Sequence, residues 1–522
     1  MSTELEKIAA IEHATWVGRQ ELFRLGMALL FIVGIVLFVL AQGGEVSHML
    51  VIGAMIGGYM AMNIGANDVA NNVGPAVGSR ALTLTGAILI AAIFEAGGAL
   101  IAGGDVVGTI KKGIIDPSLI ADADTFVWLM MAALLAGALW LNLATALGAP
   151  VSTTHAIVGG VLGAGIAAGG WGIANWPKMG QIAASWVISP VLGGLIAAGF
   201  LYLIKRTVTY RPDMLTAAKR MVPILVAVMA WAFGTYLVMK GLKKIWKVDI
   251  TTALLIGAAA AVVIYAITAP LVRRAANRLE NSKQGVNSLF TVPLIFSAAL
   301  LSFAHGANDV ANAVGPLAAI NDTVMSGEIV QKAAIPLWVM VVGALGIALG
   351  LALYGPKLIR TVGSEITELN QTRAFCIALS AAITVIIATH LGLPVSSTHI
   401  AVGAVFGVGF LREYLKAKYA RMVHEIELHH QGEDRTAVEA FLTRFEQVAL
   451  HEKGEMLAQL KAHKAPAELT KRERKELKKA YHQELVKRSA LLKIASAWLV
   501  TVPVSGVLAA ILYYTIRGMM LP

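Results

Sequence analysis

About thirteen long apolar runs dominate this 522-residue chain, and each is long enough to cross or nearly cross a bilayer as a helix, which takes about 20 residues. Charged residues make up only 14% of the sequence, against roughly a quarter in soluble domains. In lipid every backbone polar group must find a partner within the chain, and a helix achieves this locally. We therefore predict an all-α, polytopic membrane protein of about 12–13 transmembrane segments. The predicted segments are residues 25–41, 48–64, 81–104, 126–147, 150–170, 181–204, 221–240, 250–272, 289–305, 333–354, 374–391, 394–411 and 491–516.

Two motifs each occur twice, and this repetition divides the membrane part into two halves. Residues 65–75 read GANDVANNVGP, and residues 306–316 read GANDVANAVGP. Residues 150–159 read PVSTTHAIVG, and residues 394–403 read PVSSTHIAVG. The second copies follow the first by 241 and 244 residues, so the two matches share nearly one offset. An internal repeat of this kind predicts two structurally similar units.

The order of the predicted segments inverts the second half relative to the first. An odd number of segments separates the start of one half from the start of the other, so the direction of crossing is reversed. Basic loops are assigned to the cytoplasmic side, where Lys and Arg are enriched. Inverted repeats with a site between them are typical of secondary transporters. The predicted domains are a cytoplasmic segment (1–24), the first half (25–204), a linker with one extra transmembrane helix (205–249), the second half (250–411 and 491–522) and a helical cytoplasmic insert (412–490).

Each copy of the first motif, which we call the GANDVAN motif, places a carboxylate within an apolar segment. Burying Asp68 or Asp309 at that depth costs about 2.5–3.5 kcal/mol on the lower estimates, so each is expected to face a cavity and a cation. Amide and carboxylate oxygens suit hard cations such as Na⁺. The predicted cation ligands are Asp68, Asn71, Asp309 and Asn312. Capping of helix ends is the alternative interpretation.

Each copy of the second motif, which we call the PVS[ST]TH motif, places three hydroxyls directly after a proline. Pro150 and Pro394 end the preceding structure. The hydroxyls then fall at a helix start, where N–H groups point outward and bind anions. Two such helix starts facing each other could surround a tetrahedral oxyanion, whereas simple N-capping is the alternative. The predicted substrate-binding hydroxyls are those of Ser152, Thr153, Thr154, Ser396, Ser397 and Thr398.

Four further titratable side chains lie within or beside these motifs. Glu95 is buried in an apolar segment and has no acidic counterpart in the second half, and His305 corresponds to Ile64 in the first. We predict that Glu95 and His305 form a relay for protons or cations, with a neutral buried carboxyl as the alternative for Glu95. His155 and His399 end the two PVS[ST]TH motifs, and each is expected either to orient a hydroxyl or to pack in the core.

The duplicated motifs resemble the signature of the inorganic phosphate transporter (PiT) family, whose members are coupled to sodium or protons. The resemblance covers nearly all of the membrane part. It implies uptake of inorganic phosphate with a coupling ion, Na⁺ or H⁺, no other cofactor, and a homodimer in the plasma membrane. It also implies that Asn67, Asp68, Asn308 and Asp309 join the Ser/Thr triplets in the phosphate and cation sites. Both halves keep an intact GANDVAN, which is more similar to the sodium-coupled members.

Several alternative functions follow from the same residues. Some relatives resemble sulfate permeases, and others resemble proton-coupled symporters of phosphate or metal–phosphate. Certain members carry a membrane Glu where this chain has Ala378, so that position is assigned no role. An intramembrane aspartyl protease would also show two membrane aspartates, but its GxGD element is absent, since Gly65 and Gly306 are followed by Ala-Asn-Asp. We predict a transporter and not an enzyme, whose partners are phosphate, a cation and lipid. The net charge of +11 is attributed to cytoplasmic loops and not to nucleic-acid binding.

Overall fold

The computed structural model describes residues 2–41, 47–241, 248–329, 335–365, 369–428 and 488–520. Within these ranges the fold is helical, and a single β-bridge joins Ile115 to Ala174. The all-α membrane fold predicted from the apolar runs is confirmed. The helices are α1 (Ser2–Ala41), α2 (His48–Asn67), α3 (Ala70–Gly78), α4 (Leu84–Ala102), α5 (Gly104–Lys112), α6 (Ala123–Ala146), α7 (Thr153–Gly169), α8 (Trp176–Ile204), α9 (Met214–Gly241), α10 (Ile250–Ala276), α11 (Lys283–Leu289), α12 (Thr291–Asp309), α13 (Ala311–Ser326), α14 (Leu337–Glu365), α15 (Gln371–His390), α16 (Ser397–Leu428) and α17 (Arg488–Met520).

Eleven helical stretches of the described chain are long and apolar enough to cross a membrane. They coincide with eleven of the predicted segments. The other two predicted segments coincide with α7, which has 17 residues, and with the beginning of α16. The predicted insert is helical as far as Leu428 and again from Arg488, and residues 429–487 lie outside the described residues.

Short polar residues define where the long helices begin. The Asp122 carboxylate accepts from the backbone N–H of Thr125 at 2.7 Å and caps α6. The Asn370 side chain accepts from the backbone N–H of Arg373 at 3.0 Å and caps α15. An oxygen at this position satisfies one of the N–H groups that a helix start leaves unpaired. Local sequence therefore fixes the beginning of these two helices.

Both GANDVAN motifs interrupt a helix. In the first half α2 ends at Asn67 and α3 begins at Ala70. In the second half α12 ends at Asp309 and α13 begins at Ala311. A proline follows each interruption within the next helix, and proline cannot donate to the carbonyl four residues before it. Pro75 and Pro316 therefore leave the carbonyls of Asn71 and Asn312 without their usual helical donor.

Glycines of the GANDVAN motifs allow helices of the two halves to pack closely against each other. A Cβ on Gly65 of α2 would lie 1.9 Å from the carbonyl oxygen of Ile347 in α14. A Cβ on Gly306 of α12 would lie 2.2 Å from the carbonyl oxygen of Glu95 in α4. Because the two glycines occupy the same motif position, Glu95 and Ile347 are matched positions of the two halves. Small residues of this kind let membrane helices approach closely.

A second pair of glycine contacts joins the helices of the PVS[ST]TH motifs to their neighbours. A Cβ on Gly163 of α7 would lie 2.1 Å from the carbonyl oxygen of Gly506 in α17. A Cβ on Gly407 of α16 would lie 2.1 Å from the carbonyl oxygen of Gly194 in α8. The same close approach therefore occurs twice, each time between a helix of one half and a helix of the other. Helices α8 and α17 are matched elements that flank the site.

Candidate functional site

The two helix interruptions and the two PVS[ST]TH helix starts meet inside the protein, away from solvent. The structure buries every side chain predicted to bind substrate or cation, and none of them is more than 1% exposed. They are Asn67, Asp68, Asn71, Ser152, Thr153, Thr154, Asn308, Asp309, Asn312, Ser396, Ser397 and Thr398. The two halves therefore contribute to one buried polar site.

Each GANDVAN motif is hydrogen-bonded to the PVS[ST]TH motif of the opposite half. The Asn71 amide donates to Thr398 Oγ1 at 2.8 Å. The Asn312 amide, its counterpart, donates to Thr154 Oγ1 at 3.1 Å. Because Thr154 and Thr398 are also counterparts, the two contacts are equivalent. The site is thus built across the boundary between the halves.

Asp68 is the acceptor on which both triplets converge. It accepts a hydrogen bond from Thr153 Oγ1 at 2.7 Å and another from the hydroxyl of Thr398. Thr153 Oγ1 also lies 3.1 Å from Asp309 Oδ2. A hydroxyl carries one proton, so Thr153 donates to only one of the two carboxylates at a time. Two acidic side chains therefore compete for the same donor in a buried site.

Unpaired acceptors outnumber unpaired donors around these carboxylates. In the two GANDVAN motifs, the side-chain oxygens without a hydrogen-bond partner among the described residues are Asn71 Oδ1, Asn72 Oδ1, Asn308 Oδ1, Asp309 Oδ1 and Asn312 Oδ1, and Ser397 Oγ of the second triplet also lacks one. A buried acceptor without a partner costs about 1–3 kcal/mol. Carboxylate and amide oxygens are the ligands of hard cations. Asp68, His305 and Asp309 each offer one ligand atom within 4.8 Å of the others, so this cluster could hold a cation.

The two serines cap the helices that carry the triplets. Ser152 Oγ accepts from the backbone N–H of His155 at 3.1 Å, and Ser396 Oγ accepts from that of His399 at 3.2 Å. Each serine directly precedes the first residue of its helix, Thr153 of α7 or Ser397 of α16, so the capping alternative describes a real contact. A capping oxygen is an acceptor, and its own O–H can still donate to an anion.

Asn67 and Asn308 hold the loops that lead into the two triplets. The Asn67 amide donates to Thr145 Oγ1 at 2.9 Å, and its oxygen accepts from the backbone N–H of Val151 at 3.1 Å. The Asn308 amide donates to Thr389 Oγ1 at 3.0 Å. These contacts position the triplets, and binding of substrate by either amide stays a prediction.

Thr145 and Thr389 are anchoring residues that the motif analysis did not single out. Each lies five residues before the proline of its PVS[ST]TH motif, at the same 244-residue offset. Extending the repeat alignment by five residues would have found them.

Glu95 and His305, the two residues of the predicted relay, are in contact and lead to Asp309. His305 Nδ1 lies 2.7 Å from Glu95 Oε2, and His305 Nε2 lies 3.2 Å from Asp309 Oδ2. The Asn72 amide donates to the other Glu95 oxygen at 2.7 Å. The side chains of Glu95, His305 and Asp309 are fully buried. A continuous line of polar groups thus runs from Asn72 to the centre of the site.

Comparison with known proteins identifies what kind of protein carries this site. The sequence profile described as the phosphate transporter family matches residues 64–509. A protein of Helicobacter pylori strain J99 named "Putative phosphate permease" is 54% identical over 522 residues, which is 98% of each chain. A protein of the same description from Pyrococcus abyssi is 42% identical over 358 residues, covering 69% of this chain and 88% of the relative.

A solved structure shares the fold. The protein titled "The sodium-dependent phosphate transporter" superposes with a TM-score of 0.74 at 32% identity, covering 91% of this chain and all of the other. The predictions of a multi-pass membrane protein, of a transporter and not an enzyme, and of the family itself are confirmed. The match spans both GANDVAN motifs, both PVS[ST]TH motifs and the helices that bring them together, and the chain belongs to the phosphate transporter family.

Proposed function

We propose that this protein is a secondary transporter that imports inorganic phosphate by symport with a cation, which we assign as Na⁺. The observation that carries the proposal is that Asp68 accepts one hydrogen bond from the triplet of each half, from Thr153 and from Thr398. Both hydroxyls lie at helix starts, where backbone N–H groups favour an anion. A carboxylate of the protein therefore occupies donors that a phosphate would use.

Cation binding would release these donors. Asp68 Oδ2 and Asp309 Oδ2 lie 2.7 and 3.1 Å from the same hydroxyl, that of Thr153, so two acidic groups share one buried site. Two like charges about 4 Å apart repel by about 4 kcal/mol at an effective dielectric constant of about 20. A cation held by the carboxylates removes this repulsion and leaves Thr153 and Thr398 to donate to phosphate. By linkage, each ligand then raises the affinity for the other by the same factor.

Phosphate fits this site better than sulfate because of its remaining proton. A protonated phosphate oxygen is a donor and needs an acceptor, which Asp68 or Asp309 could supply beside the hydroxyl donors. Sulfate at neutral pH offers acceptors alone and would leave a carboxylate facing an anion. The relatives named as phosphate permeases and the solved neighbour named as sodium-dependent support the same choice of substrate and ion.

Proton-coupled transport of phosphate or metal–phosphate is the second candidate, and one contact favours it. His305 bridges Glu95 and Asp309, at 2.7 and 3.2 Å, so a proton could pass between the two carboxylates through the imidazole. Histidine is the side chain best suited to exchange a proton near neutral pH. In this case the proton would replace Na⁺ as the group that relieves the repulsion at Asp309.

Uptake of labelled phosphate into proteoliposomes, with one gradient imposed at a time, separates these functions. Sodium symport predicts accumulation driven by an inward Na⁺ gradient at equal pH on both sides. Proton symport predicts accumulation driven by a pH gradient in sodium-free buffer. Excess sulfate in the outer buffer tests the anion, since a sulfate permease would lose its phosphate uptake. The sodium assignment is wrong if the pH gradient alone drives uptake.

We also propose that the two halves have inverted topology, with the loops around Asp116 and Asn175 outside the cell. These loops are adjacent, since the backbone N–H of Asp116 donates to the carbonyl of Ile173 at 2.8 Å and that of Asn175 to the carbonyl of Ile114 at 2.9 Å. The chain has one cysteine, Cys376, and it is buried, so introduced cysteines can be labelled separately. Cysteines at Asp116 and Asn175 should react from outside and one at Glu433 from inside. Labelling of Asn175 and Glu433 from the same side contradicts the topology.

We also propose that the protein is a homodimer, as the family resemblance implies. Mass measurement of the purified protein in detergent, with the detergent contribution subtracted, tests it. A dimer should have twice the 55.0 kDa of one chain.

A further inference from the structure

Four aromatic rings form a ladder directly behind the two Ser/Thr triplets, and the transport mechanism above gives it no role. The ring ladder runs Trp186, His155, His399, Trp498, with successive ring centroids 3.8, 4.4 and 3.5 Å apart. The two histidines end the two PVS[ST]TH motifs. The two tryptophans lie eight residues before Gly194 and Gly506, the matched glycines of α8 and α17. The ladder is therefore made of two matched pairs that meet at the boundary between the halves.

Neither imidazole of the ladder makes a hydrogen bond of good geometry within the part of the chain that the structure describes, although the side chains are only 4% and 1% exposed. Each imidazole lies beside the backbone of the tryptophan from the opposite half, Trp498 for His155 and Trp186 for His399. Buried polar groups are nearly always paired, so each exception requires an explanation. Phenylalanine would fill a similar space without unpaired nitrogens. Packing alone therefore does not explain two histidines here.

The pair also departs from the symmetry of the halves. The ring planes of His155 and His399 are 83° apart, so the edge of one ring meets the face of the other. The two counterpart rings are not equivalent in this arrangement, and exchanging edge and face would give a second arrangement of the same kind. In a transporter of inverted repeats, one half moves against the other to open the site to the opposite side. The edge-to-face pair is the kind of contact that such a movement would reverse.

Each of the two histidines is directly connected to a Ser/Thr triplet of the binding site. His155 directly follows Thr154, and His399 directly follows Thr398, at the starts of α7 and α16. The Trp186 indole N–H donates to the carbonyl of Pro394 at 3.1 Å, in the loop before the second triplet. A shift of one imidazole past the other would therefore move the two helix starts relative to each other.

We propose that His155 and His399 are positioning residues for the conformational change: their nitrogens gain hydrogen-bond partners when α7 and α16 shift, which stabilises the state opposite to the one described here. They act through the triplets and do not contact the substrate. The inference rests on the proposed transport function, because it assigns the pair to the step that carries the bound anion across. The two histidines thus shift the equilibrium between the two conformations of the transporter.

The variants His155→Phe and His399→Phe test this role, because phenylalanine keeps the ring and its stacking but removes the nitrogens. We expect the dissociation constant for phosphate to stay within about twofold of that of the original protein, while turnover in proteoliposomes falls about tenfold or more. His48→Phe is the matched control, since it makes the same change at an exposed position at the start of α2, and both quantities should be unchanged. Normal turnover in both Phe variants overturns the proposal, as does a parallel loss of affinity.

A second readout does not depend on phosphate. Ala149 and Leu393 are matched positions in the loops before the two triplets, and each is half-buried. In a Phe variant, the ratio of labelling rates of Ala149→Cys and Leu393→Cys should change by about threefold or more, because the opposite state is less populated. An unchanged ratio overturns the inference. If the original protein does not transport phosphate, the proposed function fails, and the labelling ratio still decides the role of the histidines.

Discussion

Two matched regions of the molecule, one around Glu95 of α4 and one around Ile347 of α14, have the same backbone packing but different side chains. Gly306 packs on the carbonyl of Glu95, and Gly65 packs on the carbonyl of Ile347, in the same way. One side carries a polar trio, which consists of Asn72, Glu95 and His305. The matched positions of the other side carry an apolar trio, which consists of Ala313, Ile347 and Ile64.

The difference separates two tasks within one site. Asp68 matches Asp309 and Asn71 matches Asn312, so the residues around the proposed ions are the same in both halves. The polar trio is replaced by apolar residues in the other half, and of the two carboxylates it pairs with Asp309 in the part of the chain that the structure describes. A symmetric centre suits binding that must occur from either side of the membrane. An asymmetric attachment gives one carboxylate a different environment, which we connect with coupling to the driving ion.

The largest expected effect is on the carboxylate that the polar trio contacts. Asp309→Asn should abolish accumulation of phosphate against a gradient and remove the dependence of binding on Na⁺, because the cation site loses its charge. Some phosphate binding should remain, since the repulsion between Asp309 and the anion is removed as well. Uptake and equilibrium binding at two Na⁺ concentrations measure both quantities. Binding that still rises with Na⁺ in this variant would contradict the assignment of Asp309.

The next effect concerns the free energy of unfolding and tests whether apolar residues can replace the polar ones around Glu95. Glu95→Ile should lower the free energy of unfolding by about 3–5 kcal/mol, because it leaves His305 Nδ1 and the Asn72 amide buried without the carboxylate that they contact. The double variant Glu95→Ile/His305→Ile copies two of the three residues of the apolar trio, Ile347 and Ile64, and should recover most of this loss, since a buried pair can often be exchanged for well-packed apolar residues. Thermal unfolding in detergent compares the two. Equal destabilisation of the single and double variants would show that the broken Glu95–His305 pair does not cause the loss of stability.

A smaller effect on phosphate affinity, equal in the two halves, is expected at the two asparagines whose side chains hydrogen-bond to the opposite half. Asn71→Ala and Asn312→Ala each remove a buried hydrogen bond to a triplet threonine, worth about 1–3 kcal/mol. Phosphate affinity should fall about tenfold in each, since about 1.4 kcal/mol is tenfold. Calorimetric titration of the folded proteins measures this. If one variant loses affinity and the other does not, the centre of the site is functionally asymmetric too.

The smallest effect is expected at the capping serines. Ser152→Ala and Ser396→Ala should each weaken phosphate binding by about 1 kcal/mol, because each removes a hydroxyl that can donate to the anion at a helix start. Phosphate affinity should fall about fivefold in each, by the same conversion. Ser152→Thr and Ser396→Thr keep the capping oxygen and should restore most of the affinity. Unchanged binding in both alanine variants would remove the serines from the site.

The sequence by itself determined the membrane helices, the duplicated motifs and the residues of the candidate site. Apolar runs specify membrane helices because the lipid leaves the backbone few other structures. The duplicated motifs identified Asp68, Asp309 and the triplets because chemical patterns repeated at one offset do not depend on how the helices pack. The same offset also marked Glu95 and His305 as departures from the repeat.

Only the tertiary structure decided which of these residues touch. Glu95 and His305 are separated by 210 positions, and Asn71 and Thr398 by 327, and no local pattern pairs them. A repeat shows which residues are counterparts, but contacts depend on how closely and at what angle the helices pack. The cross-half hydrogen bonds and the ring ladder arise from that packing, because glycines of each half bring the backbones of opposite helices together.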